Sequence, residues 1–307
     1  MYFEQSTQIK RKDIASSTHE RQRKDSAHLT LAVCSNRTEN IRSNWKQYLN
    51  ILRQKDKLLL ILDTEENPVV KDLISEAKNT RVKIILNGKN LGLSESRNIV
   101  LKNCKTELLV FIDDDITLPA NTLELIRMEL DKGSDIVGVM IREPVTGIRL
   151  PWYITNGQLH YLAIHNTFLD RFTTWGACMG LNMLFLRKSK IQFRNDLGRK
   201  GSQLQSGDDT TFLNEMKVRG AKERFLKEVY VFHNIDSRRL SLKYMLRRSY
   251  WQGRSEIRRS NGINGLAKEW NRFVKTNDTF PKKMFLAFIY SSSLILGMMT
   301  EILIGRK

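Results

Sequence analysis

The chain has 307 residues, 41% of them hydrophobic, which suits one large mixed domain or a catalytic domain with appended segments and excludes disorder throughout. Its formal net charge of +18 at pH 7 favours phosphate-rich partners: nucleotides, nucleic acid or an anionic membrane surface. Three scattered cysteines, Cys34, Cys104 and Cys178, exclude a disulfide framework and lack the paired spacing of a zinc site, in keeping with a reducing, cytosolic setting.

Residues 1–28 are polar and basic, with no apolar period and no signal-peptide core, and are expected to form a mobile arm. The folded domain is expected to run from Leu29 to about residue 260. It starts with a strand over Leu29–Cys34. Thr38 then caps a helix with Ile41, Trp45, Leu49 and Leu52 on one face. Leu58–Asp63 reads as a strand buried on both sides, followed by a helix opened by Pro68. Val82–Leu86 is a strand, Ser94–Asn103 a short helix and Glu107–Asp113 another buried strand. Pro119–Lys132 is helical up to Gly133, and DIVGVM follows as a strand. This alternation predicts an α/β fold with a Rossmann-like, mostly parallel sheet flanked by helices. Residues 142–175 carry Pro144, Gly147, Pro151 and Gly157 without periodicity, and are expected to form an irregular region near an acceptor site. Order returns at Leu181–Arg187, with a helix from Asp209 to Val218 and a strand over Glu228–Phe232.

The strand LLVFI runs straight into Asp113, Asp114 and Asp115. Carboxylates at the C-terminal edge of a parallel sheet lie where such sheets bind ligands, and three of them repel one another unless a cation compensates. Extended residues two apart share a side, so Asp113 and Asp115 can face one ion. Oxygen ligands favour Mg2+ or Mn2+, either of which can bridge to a diphosphate. The competing reading is a solvated loop in which Asp114 and Asp115 cap the next helix.

The segments LTLAVCSNR, LLLILD, NLGLSESRN, VFIDDD, GACMGLNMLFLRKS, SGDDTTF and VFHN occur in this order between residues 29 and 255. In that order they resemble the family 2-like inverting glycosyltransferases of GT-A fold. The resemblance implies that Asp63 meets the nucleotide base and that Arg97 contacts the diphosphate. It places Asp113 and Asp114 beside the donor, and Asp113, Asp115 and His233 around the metal. Trp175, Gly176 and Gly180 fall in a loop before the strand flanking the acceptor cleft. The pair Asp208 and Asp209 matches the family's catalytic-base position, with Asp209 as base and Asp208 as neighbour or acceptor-binding group. The family usually has glutamate first, and the aspartate here leaves the choice between the two open. Arg247 and Arg248, on a helix with Tyr250 and Gly253, correspond to a segment closing over the donor phosphates. Each position also has a plainer reading: Asp63 as a turn-former, Arg97 as a surface side chain, Trp175 as core, Asp208 as a helix cap, His233 as a satisfied polar group, and the basic helix as a membrane-surface element.

Met284–Thr300 is uncharged, with Lys282 and Lys283 before it and Glu301 after. As part of a C-terminal helical segment, 261–307, it is expected to span a membrane marginally, lie in its headgroups or pack on the domain. The chain as a whole reads as a metal-assisted inverting transferase using a nucleotide-diphosphate sugar, UDP-linked. Its acceptor is expected to be a growing glycan or lipid-linked saccharide at the cytosolic membrane face. Without RNA-binding aromatics or a recognition helix, nucleic acid is not an expected partner. Two alternatives are a sugar-phosphate nucleotidyltransferase, for which SNRTEN lacks the glycine-rich signature, and a non-catalytic basic peripheral membrane protein keeping the fold.

Overall fold

The computed structural model describes residues 27–78, 80–144, 147–166, 172–276 and 278–305. The arm expected over 1–28 lies outside the described residues except for its last two. Strands β1 (Leu29–Ser35), β2 (Lys57–Leu62), β3 (Val82–Leu86) and β4 (Leu108–Ile112) are parallel and alternate with helices α1 (Thr38–Asn50), α2 (Pro68–Ala77) and α3 (Leu93–Asn103). Local chemistry sets these boundaries: Pro68 opens α2 after Asn67, whose side chain accepts from the Val70 amide at 3.0 Å. Then come β5 (Ile116–Thr117), α4 (Thr122–Asp131), β6 (Ile136–Arg142), β7 (Cys178–Asn182), α5 (Met183–Ser189), α6 (Asp208–Val218) and β8 (Glu223–His233).

The eight strands form one sheet in the order β3-β2-β1-β4-β7-β6-β8-β5. This is a mixed α/β sheet flanked by helices, in which β7 runs antiparallel to both β4 and β6. Successive strand residues alternate faces. Leu31, Val33, Leu58, Leu60 and Val110 pack with Ile41, Trp45, Leu73 and Ile126 of α1, α2 and α4. Ala32, Leu59, Ile61, Leu109 and Phe111 pack on the other side with Val100, Leu186 and Phe212 of α3, α5 and α6.

The segment Leu181–Arg187 is divided at Asn182, whose side chain accepts from the Leu184 amide at 2.9 Å, so that β7 ends and α5 begins there. Gly180 lies inside β7 rather than in a loop before it. A Cβ at Gly180 would collide with the Ile126 methyl group of α4. Within the irregular region 142–175, Thr155 caps a 3-10 turn over Asn156–Leu162. Past a second such turn, Ser237–Leu240, the chain forms α7 (Leu242–Arg258), α8 (Gly262–Val274) and α9 (Phe280–Ile304). Tyr161, Met245, Phe273, Leu286 and Tyr290 knit these helices and the first turn into a third apolar cluster.

Candidate active site

Four strands end at one edge of the sheet, delivering Ser35, Asp63, Asn87 and Asp113 to a cleft of about 510 Å³ that Ser35, Asp63 and Asp113 help to line. Asp63 does not project freely: its Oδ1 accepts from the Leu91 amide at 2.8 Å and its Oδ2 from the Gly92 amide at 2.9 Å. Gly92 has φ 99°, a left-handed conformation that glycine adopts without strain, and this turn carries the chain into α3. The NLGLSESRN loop is thus stapled to the end of β2.

Arg97, on α3, is buried rather than displayed on the surface. Its Nη1 donates to Asp208 at 2.7 Å, and its Nη2 donates to the Gly176 carbonyl at 3.1 Å and lies 3.4 Å from Asp113. Three chain segments therefore meet on one guanidinium, whose planar donors match several acceptors at once. Burial pushes Asp113 up to about 6 and also raises Asp208, in both cases against the pull of Arg97.

Asp114 turns back to β1, accepting from Ser35 and from both Nε and Nη2 of Arg37. Asp115 is buried and lies 2.9 Å from Arg37 Nη2, 3.0 Å from His233 Nε2 and 3.5 Å from Arg239 Nη1. Although burial penalises its charge, His233, Arg37 and Arg239 hold Asp115 well below the usual carboxylate range.

His233 Nδ1 lies 2.8 Å from the Leu162 carbonyl and must carry the proton that bonds there. In the neutral ring, the Nε2 lone pair faces Asp115 Oδ1 at 3.0 Å as well as the Arg239 Nη1 donor at 3.4 Å, and the buried Oδ1 has no hydrogen-bond partner unless the ring is protonated. A proton or a cation between the two atoms resolves that opposition. Imidazole oriented through its second nitrogen, beside a carboxylate, is a usual arrangement for a divalent ion. Among the described residues, no three of His, Cys, Asp and Glu close such a site by themselves. An ion held by Asp115 and His233 needs further oxygen ligands from substrate or water.

Asp208 and Asp209 open α6. Asp208 is buried against Arg97, whereas the half-buried Asp209 accepts from the Gly176 amide at 2.7 Å and the Thr210 amide at 2.7 Å. Gly176 is close-packed here: an added Cβ would sit 2.7 Å from Arg97 Nη2 and 2.9 Å from Asp209 Cβ. Trp175 lines the cleft and stacks on His165 with ring centroids 3.9 Å apart. Of the two α7 arginines, Arg248 lines the cleft, and Arg247 is exposed and donates to the Ser202 carbonyl at 2.5 Å.

Sequence reasoning missed the rest of the cationic wall: Arg37, Arg199, Arg239 and Arg259, with Tyr244 among them. Among the described residues, the Nε atoms of Arg239, Arg248 and Arg259 and the Tyr244 hydroxyl are buried without hydrogen-bond partners. Burial lowers the Arg248 pKa, and Arg199 beside it lowers it further. Burial alone would raise the Tyr244 phenol, yet Arg199, Arg239 and Arg248 bring it below its usual value. Arg37 and Arg239 share Asp115 and Arg259 pairs with Glu256, which leaves Arg199 and Arg248 without a carboxylate partner among the described residues.

Residues 31–191, more than half of the chain, match the family Glycosyl transferase family 2. The chain belongs to that family. A curated relative of this family 2 chain is the succinoglycan biosynthesis protein ExoM of Rhizobium meliloti (strain 1021). It is 23% identical over 257 residues, covering 80% of each chain. Among solved structures, the mannosyltransferase PcManGT from Pyrobaculum calidifontis, in complex with GDP-Man and Mn2+, is 12% identical. It superposes with a TM-score of 0.59 over 94% of both chains. TarS 1-349 of S. aureus, in complex with UDP-GlcNAc, is also 12% identical, with a TM-score of 0.53 over 87% of this chain and 72% of that one. The family 2 chain is therefore a glycosyltransferase of GT-A fold.

Proposed function

We propose that this glycosyltransferase moves a hexosyl group from a nucleotide-diphosphate sugar, UDP-linked, to a saccharide or lipid-linked glycan at a cytosolic membrane surface, inverting the anomeric centre. The observation that carries the reading is the buried Asp115 oxygen facing His233 Nε2 in a cleft that also holds Arg199 and Arg248, neither of which has a carboxylate partner among the described residues. Mg2+ or Mn2+ held by Asp115 and His233, with Asp113 near, would neutralise the donor diphosphate as a Lewis acid. Solved proteins of the same fold hold GDP-Man with Mn2+, or UDP-GlcNAc, which supports a nucleotide-sugar donor.

The chain's own residues supply the remaining chemistry. Asp63 and the loop it staples face the nucleotide base. Arg239, Arg248 and Tyr244 donate to the phosphates and stabilise the charge that grows as the bond from the anomeric carbon to the diphosphate oxygen breaks. Asp209 is the base: it takes the proton of the acceptor hydroxyl while that oxygen attacks the anomeric carbon opposite the leaving group. Its partial exposure suits contact with an acceptor, whereas Asp208 is occupied in holding Arg97. Trp175 offers an aromatic plane for the acceptor sugar. Arg247, turned outward to the Ser202 carbonyl, takes no part in donor binding.

Release of nucleoside diphosphate from a panel of UDP- and GDP-sugars, with Mn2+ and with a chelator, tests the proposal. Metal-dependent release is expected, with Asp209→Asn still binding donor but no longer transferring. Transfer at the wild-type rate by Asp209→Asn removes the base assignment.

A further inference from the structure

The C-terminal helices present an apolar surface that internal packing leaves uncovered. One side of α9 is buried, with Leu286, Ala287, Tyr290 and Leu294 inside. The opposite side exposes Phe285, Phe288, Ile295, Leu296, Met299 and Leu303. The outer face of a helix on a water-soluble domain usually carries charge. Here no charged residue lies between Lys283 and Glu301, and Glu301 turns inward to Arg254 at 2.6 Å and Arg258 at 2.7 Å. Trp152, 60% exposed, stacks on Phe285, and Trp270 of α8 joins Phe288 and Ile295 around an apolar groove.

We propose that this face beds into the headgroup region of an anionic bilayer, so that α9 lies in the membrane plane and does not cross it. The inference rests on the membrane contact proposed above and fixes its face and its mode. Crossing is opposed by packing: a Cβ on Gly253 of α7 would overlap the Leu294 carbonyl, and one on Gly297 would overlap that of Tyr250. Helices in such close backbone contact cannot separate without losing the Glu301 ion pairs, and a spanning α9 would take polar α7 into hydrocarbon. A second copy of the chain is opposed by charge, since two molecules of net charge +18 would meet with Lys282 and Lys283 beside the contact. An anionic bilayer matches that charge. Between residues 261 and 305 there are five Lys or Arg and three acids. Lys268 and Arg272 line the cleft and Lys282 pairs with Asp278, while Glu269 and Glu301 are buried, so Lys275 and Lys283 carry the unbalanced charge of this surface. Exposed tryptophan beside phenylalanine also favours the membrane–water boundary. Since α8 sends Lys268 and Arg272 to the cleft and Trp270 to the groove, the cleft would open next to the lipid surface.

Co-sedimentation of the full chain with phosphatidylcholine vesicles, with and without phosphatidylglycerol, tests this without any donor present. We expect salt-sensitive binding to the anionic vesicles, complete release by alkaline carbonate, and tryptophan quenching by brominated lipid. The double variant Phe288→Asp/Leu296→Asp, with its fold checked by circular dichroism, should partition about a hundredfold less, a factor of about ten for each lost apolar contact. Absence of binding to every vesicle overturns both the membrane contact and its mode. Binding that survives carbonate, or that the double variant retains, overturns the in-plane face alone. Dimerisation abolished by the same variant, with no vesicle binding, assigns the face to a second copy and also overturns the proposal. Donor hydrolysis is measured separately, so none of these outcomes bears on the transferase reading.

Discussion

His233 Nε2 lies 3.0 Å from Asp115 Oδ1 because of sheet register. The two-residue β5 pairs antiparallel with the end of β8, setting Ile116 opposite His233, and the Asn234 amide donates to the Asp115 carbonyl at 2.8 Å. Residues 118 positions apart in the chain are fixed as neighbours by one short ladder, and the Leu162 carbonyl sets the imidazole orientation. If this pair holds the divalent ion, His233→Gln should raise the Mn2+ concentration for half-maximal donor hydrolysis by at least about a hundredfold, since disturbing even the groups around a metal ligand costs about 10–100-fold. Excess Mn2+ should restore part of the rate. A metal titration superimposable on that of the wild type would remove His233 from the site.

Gly176→Ala is expected to reduce turnover more than stability. The new methyl carbon would press on both Arg97 and Asp209, so the hub and the proposed base must shift together. A displacement of about 1 Å in a reacting group can lower the rate about a hundredfold. Circular dichroism should show a folded protein, and the deficit should fall on kcat rather than on donor affinity. A variant of normal kcat would mean that Asp209 tolerates displacement and is not the base.

The sequence disclosed the part of the fold that depends on strong local signals. Leu58–Leu62 and Leu108–Ile112 are unbroken apolar runs because both faces of those strands are covered, and the acidic triplet follows at the strand end. Pieces defined by distant pairing were hidden. β5 has only two residues, and β8 begins at Glu223, where polar residues and a register shift opposite Val139 and Met140 mask its period. Arg37 and Arg239 look like ordinary loop cations until the sheet sets them beside Asp115. The burial of Arg97 could not be read from SESRN, since it depends on Asp208 and Gly176 arriving from elsewhere.

Gly253→Ala and Gly297→Ala should each destabilise the chain by about 1–3 kcal/mol, the usual cost of overpacking a fitted contact, because each opposes backbone rather than a flexible side chain. The α7–α9 crossing would have to widen, loosening the Glu301 pairs with Arg254 and Arg258. Denaturant unfolding reads the loss. Midpoints unchanged by both substitutions would show that the helices are not held at this separation.

Acid should weaken the junction between α8 and the 3-10 turn in a defined window. Glu269 is buried, and its carboxylate lies 2.9 Å from His160 Nε2. Burial opposes its charge, yet His160, with Arg272 and Lys268, lowers its pKa from 4.5 to about 2. A group whose folded-state pKa lies below its unfolded value contributes stability that is full above the unfolded value and disappears as pH falls through the folded one. The contribution of Glu269 should therefore be complete above about pH 4.5 and decline toward pH 2. Its size is on the order of 3 kcal/mol, at about 1.4 kcal/mol per pKa unit. Glu269→Gln removes the titrating group, so the difference in unfolding free energy between wild type and variant should shrink across this interval. A difference that stays constant from pH 5 to pH 2 would mean that the carboxylate is no better stabilised in the folded chain than in the unfolded one.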